Sequence, residues 1–346
     1  MAATAPNALV DGRTHPVADA ARLPDRARLR ELAQKVSVDF AALAFAQEIG
    51  TDEPSRTAQA AFDRFLEEDP VSSEEGLRRP GAFPYNVLFI PSWLHRSHSD
   101  KGGDFARQRS LLDRLGIANA LVDTAESGSV EDNAAVIAAA IREVTDTRGS
   151  LILVSASKSS AEVALALSRL LAREEMARVA GWINVAGALG GTPLADVALR
   201  PPAAWGLRLI FWLKGWNWDG LVSLATGPSR KRLEDARLPE SVAVVNVVAV
   251  PVSGSVSSTV AQCYRILLGH GPNDGVVLLA DTIWPGGANI VVLGADHLFA
   301  AHRGDAHGLA LMRVVDLAVR RNSAAHPPYV PLPVAATELT GRERSP

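Results

Sequence analysis

The chain reads as an α/β protein with a mostly parallel, doubly wound sheet, and three observations carry that expectation. From residue 86 to residue 320, short apolar runs alternate with segments of helical period. Leu151, Ile152, Leu153 and Val154 suit a strand buried on both faces, and a helical pattern follows from Ala161. The composition, 47% hydrophobic and 21% charged over 346 residues, is enough to bury a large core.

Taken in order, residues 1–24 carry no periodicity and are expected to form a loose arm. Leu29, Leu32, Val36, Phe40 and Leu43 fall at helical spacing and predict one amphipathic helix. Pro54 opens a second, with Ala58, Ala61, Phe62 and Phe65 on one face, and Pro70 closes it. Residues 71–83 read as a linker, which makes 1–83 a helical N-terminal extension packed on the main domain. That domain, 84–325, begins with a strand at 87–90, a helix at 105–115, a strand at 118–122 and a helix at 129–144. In the last of these, Ser129 and Asp132 have capping-box spacing. Strand 151–154 leads into a sharp turn. Strands at 182–185, 242–250 and 290–293 follow, a helix over 309–320 closes the domain, and 326–346 form a C-terminal tail.

One stretch, 195–226, breaks the alternation. Four of the seven Trp fall between 205 and 218. An apolar stripe usually marks a core helix. Here apolar residues run nearly all the way round, and the stretch lies between two strands, so a hydrophobic lid over the ligand end of the sheet is expected.

Composition also excludes partners. The net charge is −3 with no long basic run, so nucleic acid is not an expected ligand. Cys263 is the single cysteine, which rules out an internal disulfide and a cysteine-built zinc site. Residues 1–10 lack a basic region followed by an apolar run. The longest apolar stretch, 242–252, is interrupted by Asn246 and too short to span a bilayer. A cytoplasmic protein without transmembrane segment, metal or cofactor is expected; the oligomeric state is not legible.

The chemistry gathers at three places. Between strand 151–154 and the following helix lie Ser155, Ala156, Ser157, Lys158 and Ser159. So short a strand-to-helix elbow strains its central residue and demands small neighbours two positions away, which makes Ser157 a candidate nucleophile. A Ser-rich turn there can equally cap the helix or bind phosphate. Downstream, Asn273-Asp274-Gly275 is a turn carrying a candidate acid, and His297 directly follows the last strand as a candidate base. Asp296 is the rival acid. His95, His98 and Asp100 offer half a metal site but better suit the substrate entrance. His302, Asp305 and His307 read as surface residues, and the run 230–235 as a solvated helix. Cys263 reads as a small core residue.

The elbow, the Asn273-Asp274-Gly275-Val276-Val277 turn and the Asp296-His297-Leu298 triplet resemble those of bacterial lipases within the α/β-hydrolase fold. The segment Gly191-Thr192-Pro193-Leu194-Ala195-Asp196 is similar to the one entering their lid. The resemblance covers about residues 84–322. It implies Ser157 as nucleophile, His297 as general base and then acid, and Asp274 as the group orienting His297. It further implies an oxyanion hole from the N–H of Lys158 and, by analogy with a Pro-Gly-apolar loop, of Trp93; Pro91 has no N–H to offer. Ser92, Trp205, Trp212 and Trp216 are the expected substrate-binding residues. Two departures stand out: the elbow is Ser-x-Ser-x-Ser where Gly-x-Ser-x-Gly is usual, and Ser92 replaces a loop Gly. The expected activity is hydrolysis of an ester or thioester with an apolar, lipid-like acyl group through an acyl-serine. The alternatives are an acyltransferase or cyclising thioesterase using the same triad, and a non-catalytic member of the fold that binds a hydrophobic ligand or partner.

Overall fold

The computed structural model of the chain describes residues 25–325, apart from 80, 145–149 and 235. The arm 1–24 and the tail 326–346 therefore lie outside the described residues. Four helices come first: α1 (Arg26–Lys35), α2 (Val38–Ile49), α3 (Glu53–Glu67) and α4 (Pro70–Arg78). The alternating part follows as β1 (Tyr85–Ile90), α5 (Ala106–Leu115), β2 (Asn119–Leu121), α6 (Val130–Val144), β3 (Ser150–Ala156), α7 (Lys158–Leu165), α8 (Arg173–Met176) and β4 (Val179–Val185). Then come α9 (Pro193–Ala198), α10 (Ala203–Lys214), α11 (Trp218–Val222), α12 (Thr226–Glu234), β5 (Ala243–Val250), α13 (Ala261–Leu267), β6 (Ala288–Leu293) and α14 (Asp305–Ala325).

The described strands form one parallel sheet in the order β2-β1-β3-β4-β5-β6. Side chains alternate across it, as the two-residue period of a strand requires. Ile152 and Val154 of β3 join the core beneath α3, α5 and α14. Leu151 and Leu153 join the opposite core beneath α6 and α7. Because β2 and β3 flank β1 on opposite sides, strand order reverses there and opens a crevice at the carboxyl ends of β1 and β3.

Asn246, which interrupts the apolar run of β5, belongs to a ladder of buried amides. Its Oδ1 accepts from Asn184 Nδ2 (2.8 Å), and its Nδ2 donates to Asn289 Oδ1 (2.9 Å). The three stand at paired positions of β4, β5 and β6. Asn289 Nδ2 continues the ladder to the Ile49 carbonyl at 3.0 Å, stitching the end of α2 to the sheet. Each buried amide in such a chain needs its neighbour, so the N-terminal helices are tied to the strands by more than apolar contact.

The structure corrects several expectations. The single helix over residues 29–43 is two helices, since Ser37 caps α2 by accepting from the Phe40 N–H. The break changes which face is buried: Ala41, Ala42, Phe45 and Ile49 point inward, while Val36, Phe40 and Leu43 are exposed. The expected linker contains α4, where Asp69 accepts from the Ser72 N–H and Pro70 sits in the first turn. Run 230–235 is not simply solvated. Arg230 donates to the fully buried Asp281, which Arg26 also reaches. Cys263 is half-buried rather than in the core.

Candidate active site

Ser157 stands between the end of β3 and the start of α7, at φ 57° and ψ −124°. A left-handed φ is strained for any residue with a Cβ, and it persists only where the surroundings dictate it. Leu94, Phe105 and Phe299 share that feature, and all three line the same cavity as Ser157.

The elbow's extra serines are held by hydrogen bonds, which is how the chain does without glycine. Ser159 Oγ accepts from the Ala156 N–H (3.0 Å) and lies 2.9 Å from the Ile90 carbonyl, so it ties the elbow to the end of β1. Ser155 Oγ accepts from Trp182 Nε1 at 2.8 Å and lies 3.0 Å from Ser160 Oγ. All of these hydroxyls are buried, and each has a partner. Ser92 is accommodated differently. A Cβ at Gly103 would overlap its Oγ, so the small residue has moved to the facing loop.

Three side chains meet at the elbow: Ser157 after β3, Asp274 from the loop between α13 and β6, and His297 from the loop after β6. His297 Nε2 lies 2.9 Å from Ser157 Oγ, and His297 Nδ1 lies 2.7 Å from Asp274 Oδ2. The other Asp274 oxygen accepts from the N–H groups of Val276 (2.9 Å) and Val277 (2.7 Å). The His297 N–H donates to the Asp274 carbonyl at 2.8 Å, which locks the two loops together. Asp296, the rival acid, is occupied elsewhere by the N–H groups of Ser257 and Leu298.

The loop after β1 leaves one donor over. The Ser92 N–H goes to the Gly103 carbonyl and the Leu94 N–H to the Glu126 carbonyl, while that of Trp93, between them, has no acceptor in the described chain. The N–H of Lys158 opens α7 and has no intrahelical acceptor. His95 holds this loop through Nδ1 against the Ser92 carbonyl (3.2 Å), and burial pushes its pKa down.

A cavity of about 390 Å³ opens beside Ser157 and runs into the core beneath α3, α5 and α14. Phe62, Phe89, Leu112, Ile183, Val247 and Met312 line its inner part. Ser92, Trp93, His95 and His98 also line it, as the sequence led one to expect of the entrance. Trp205, Trp212 and Trp216 do not. Trp205 and Trp212 are 70% and 76% exposed on α10, because that helix buries Ala204 and Phe211 instead. Phe211 stacks near Trp93, Trp216 and Trp218, and Trp216 Nε1 donates to Ser97 Oγ at 3.2 Å. The 195–226 stretch thus lies against the loop after β1. His302 and His307, read as surface residues, line the cavity with their rings 5.4 Å apart. Lys101 and Arg303 line it too. Sequence reasoning missed both, and their one signal was a cluster of basic residues just beyond each proposed catalytic loop.

No protein-family model and no curated protein matches the chain. Among solved structures it is similar to the metagenomic carboxyl esterase MGS0156, at 23% identity and a TM-score of 0.56, over 68% of this chain and 76% of the other. It is also similar to the mature form of Bacillus licheniformis lipase BlEst2, at 23% identity and a TM-score of 0.52, over 64% and 87% of the two chains. The likeness establishes an α/β-hydrolase type of fold.

Proposed function

We propose that the protein is a serine hydrolase of carboxylic esters with an apolar acyl group. The observation that carries this reading is the continuous chain from Asp274 Oδ2 through His297 to Ser157 Oγ, at 2.7 and 2.9 Å, on a strained elbow. Asp274 has no exposed surface, so its charge is directed at the His297 ring rather than at water.

In the proposed reaction, Ser157 Oγ attacks the ester carbonyl carbon and passes its proton to His297 Nε2. Asp274 holds the Nδ1–H and stabilises the imidazolium. The negative oxygen is received by the Lys158 and Trp93 N–H groups, which need no reorganisation to do so. Collapse expels the alcohol, which takes the proton from Nε2 and leaves an acyl-serine. Water repeats the sequence in reverse and releases the acid. The acyl chain occupies the inner cavity beneath α3, α5 and α14, on which side Met312 and Leu112 limit its length. The 195–226 stretch is proposed as a lid that acts by holding Trp93 and the loop after β1, with Phe211 as its contact.

The test is labelling by a fluorophosphonate in wild type and in Ser157→Ala. Labelling only of the wild type supports the reading. Absence of labelling in folded protein, with or without detergent, rejects it in favour of a binding protein of this fold.

A further inference from the structure

Among the described residues, no Asp or Glu lines the cavity beside Ser157, although acids outnumber Lys and Arg in the whole chain, 38 to 35. Lys101, Arg303, His98, His302 and His307 all line it. Among the described residues, the charges at its outer part are only weakly neutralised. Arg303 gives an N–H to the Lys101 carbonyl but pairs with no carboxylate among the described residues. Among the described residues Lys101 pairs only with Asp100, and both side chains are exposed (40% and 68%), so this is a weak and replaceable partner. Asp305, two residues beyond Arg303, is taken by Arg107 and Arg114. Asp305 also opens α14, so the positive end of a 21-residue helix faces the same region.

The position of Arg303 is built into the loops. A Cβ at Gly102 would overlap its guanidinium, and Gly102 holds φ 73°. A surface arginine needs no such provision. The inner part of the cavity, by contrast, is apolar and buried, with Leu112 and Ile183 each 1% exposed.

We propose that the cavity takes an amphiphilic ester bearing an anionic group, a phosphate or a carboxylate, held by Arg303 and Lys101 at the outer end while its apolar chain fills the inner end. His98 and His302 supply further N–H donors to the same oxygens. The word ester rests on the hydrolase reading above; the anion and the chain do not, and the experiment separates them.

Ser157→Ala protein, which cannot turn over, is titrated by calorimetry with octyl phosphate, nonanoate and octanol. One of the two anions is expected to bind at least about tenfold more tightly than octanol, as charge-assisted hydrogen bonds of ordinary strength imply. Which anion prevails identifies the group. Arg303→Gln and Lys101→Gln should each lower the anion-to-octanol ratio by about three- to tenfold, as should raising salt from about 50 to about 500 mM. Lys231→Gln, far from the cavity, should leave the ratio alone. If Arg303→Gln fails to fold, Lys101→Gln carries the test, since among the described residues its side chain pairs only with the exposed Asp100. Equal binding of all three compounds, binding of none, or an anion preference that survives both substitutions overturns the proposal. Fluorophosphonate labelling of the wild type is read beside it. Lost labelling with intact discrimination would reject the hydrolase reading alone.

Discussion

Lys158 and Glu162 form an ion pair one helical turn behind Ser157, with each side chain only 2% exposed. The Lys158 ammonium also stands 5.5 Å from the centre of the Trp93 ring, so the side chain of one residue offered as an oxyanion donor packs over that of the other. Glu162 Oε1 receives Lys158 and Asn133 Nδ2, while Oε2 has no partner among the described residues. Burial pushes the Glu162 carboxyl up, and the ammonium and amide oppose that. Removing one partner of a buried pair strands the other charge. Glu162→Ala should therefore lose about 3–5 kcal/mol of stability in urea unfolding. Glu162→Met with Lys158→Met should recover part of it. Equal losses in the single and double variants would show that the pair is not what holds this turn.

Asp274→Asn leaves an acceptor for the two backbone N–H groups but changes what faces His297 Nδ1. The amide can present an N–H there, which favours the tautomer unable to accept from Ser157. By analogy with such triads, kcat should fall about 10⁴-fold with little change in KM. Asp296→Asn should cost far less, because Asp296 serves backbone groups away from the site. Comparable losses in the two variants would reassign the acid.

The Ser92–Gly103 pair predicts a rescue. Gly103→Ala should push the loop after β1 away from the elbow, costing about 1–3 kcal/mol and lowering kcat more than it raises KM. Adding Ser92→Gly removes the overlapping hydroxyl and should restore most of both. A double-mutant cycle with no coupling energy would contradict the geometry.

Met312 lines the cavity and is 6% exposed. Met312→Trp should lower kcat/KM for octanoate esters by about tenfold or more relative to acetate esters, as lost burial of several methylenes implies. The profile is read over a ladder of p-nitrophenyl esters. An unchanged chain-length profile would place the acyl group elsewhere.

Stability should also depend on pH near neutrality. Burial lowers the pKa of His95 and of His307, the latter further disfavoured by His302. In the unfolded chain both take up protons near pH 6.5. Between that point and their lower folded values, the unfolded state binds more protons, so stability falls as pH falls through this window. Urea midpoints at about pH 7.5 and 5.5 test it, and His95→Asn should flatten the difference. The carboxylates of Asp305 and Glu68, lowered by their arginine partners, act in the same direction but only below about pH 4.

How much of the site was legible depended on how local each signal was. Ser157 sits on a strand-to-helix elbow only a few residues long, and His297 directly follows a strand. Such placements are written in periodicity and turn chemistry. Trp93 followed from the resemblance to a Pro-Gly-apolar loop, and the structure adds that its neighbours' N–H groups are spent. Trp205 and Trp212 show the limit. Hydrophobicity marks what prefers burial, but α10 turns Phe211 inward and leaves those two outside.

By itself, the sequence determined the six strands and their alternation with helices from residue 84 onward, the elbow with Ser157, and the loops that carry Asp274 and His297. Each depends on spacing within a short segment. Only the tertiary structure decided what lies beside them. Lys101, Arg303, His302 and His307 come together from segments some 200 residues apart. Asn184, Asn246 and Asn289 become a ladder only when β4, β5 and β6 align in register. The physical reason is that burial and charge neutralisation depend on distances through space, and a chain's local pattern sets those only after its strands have paired.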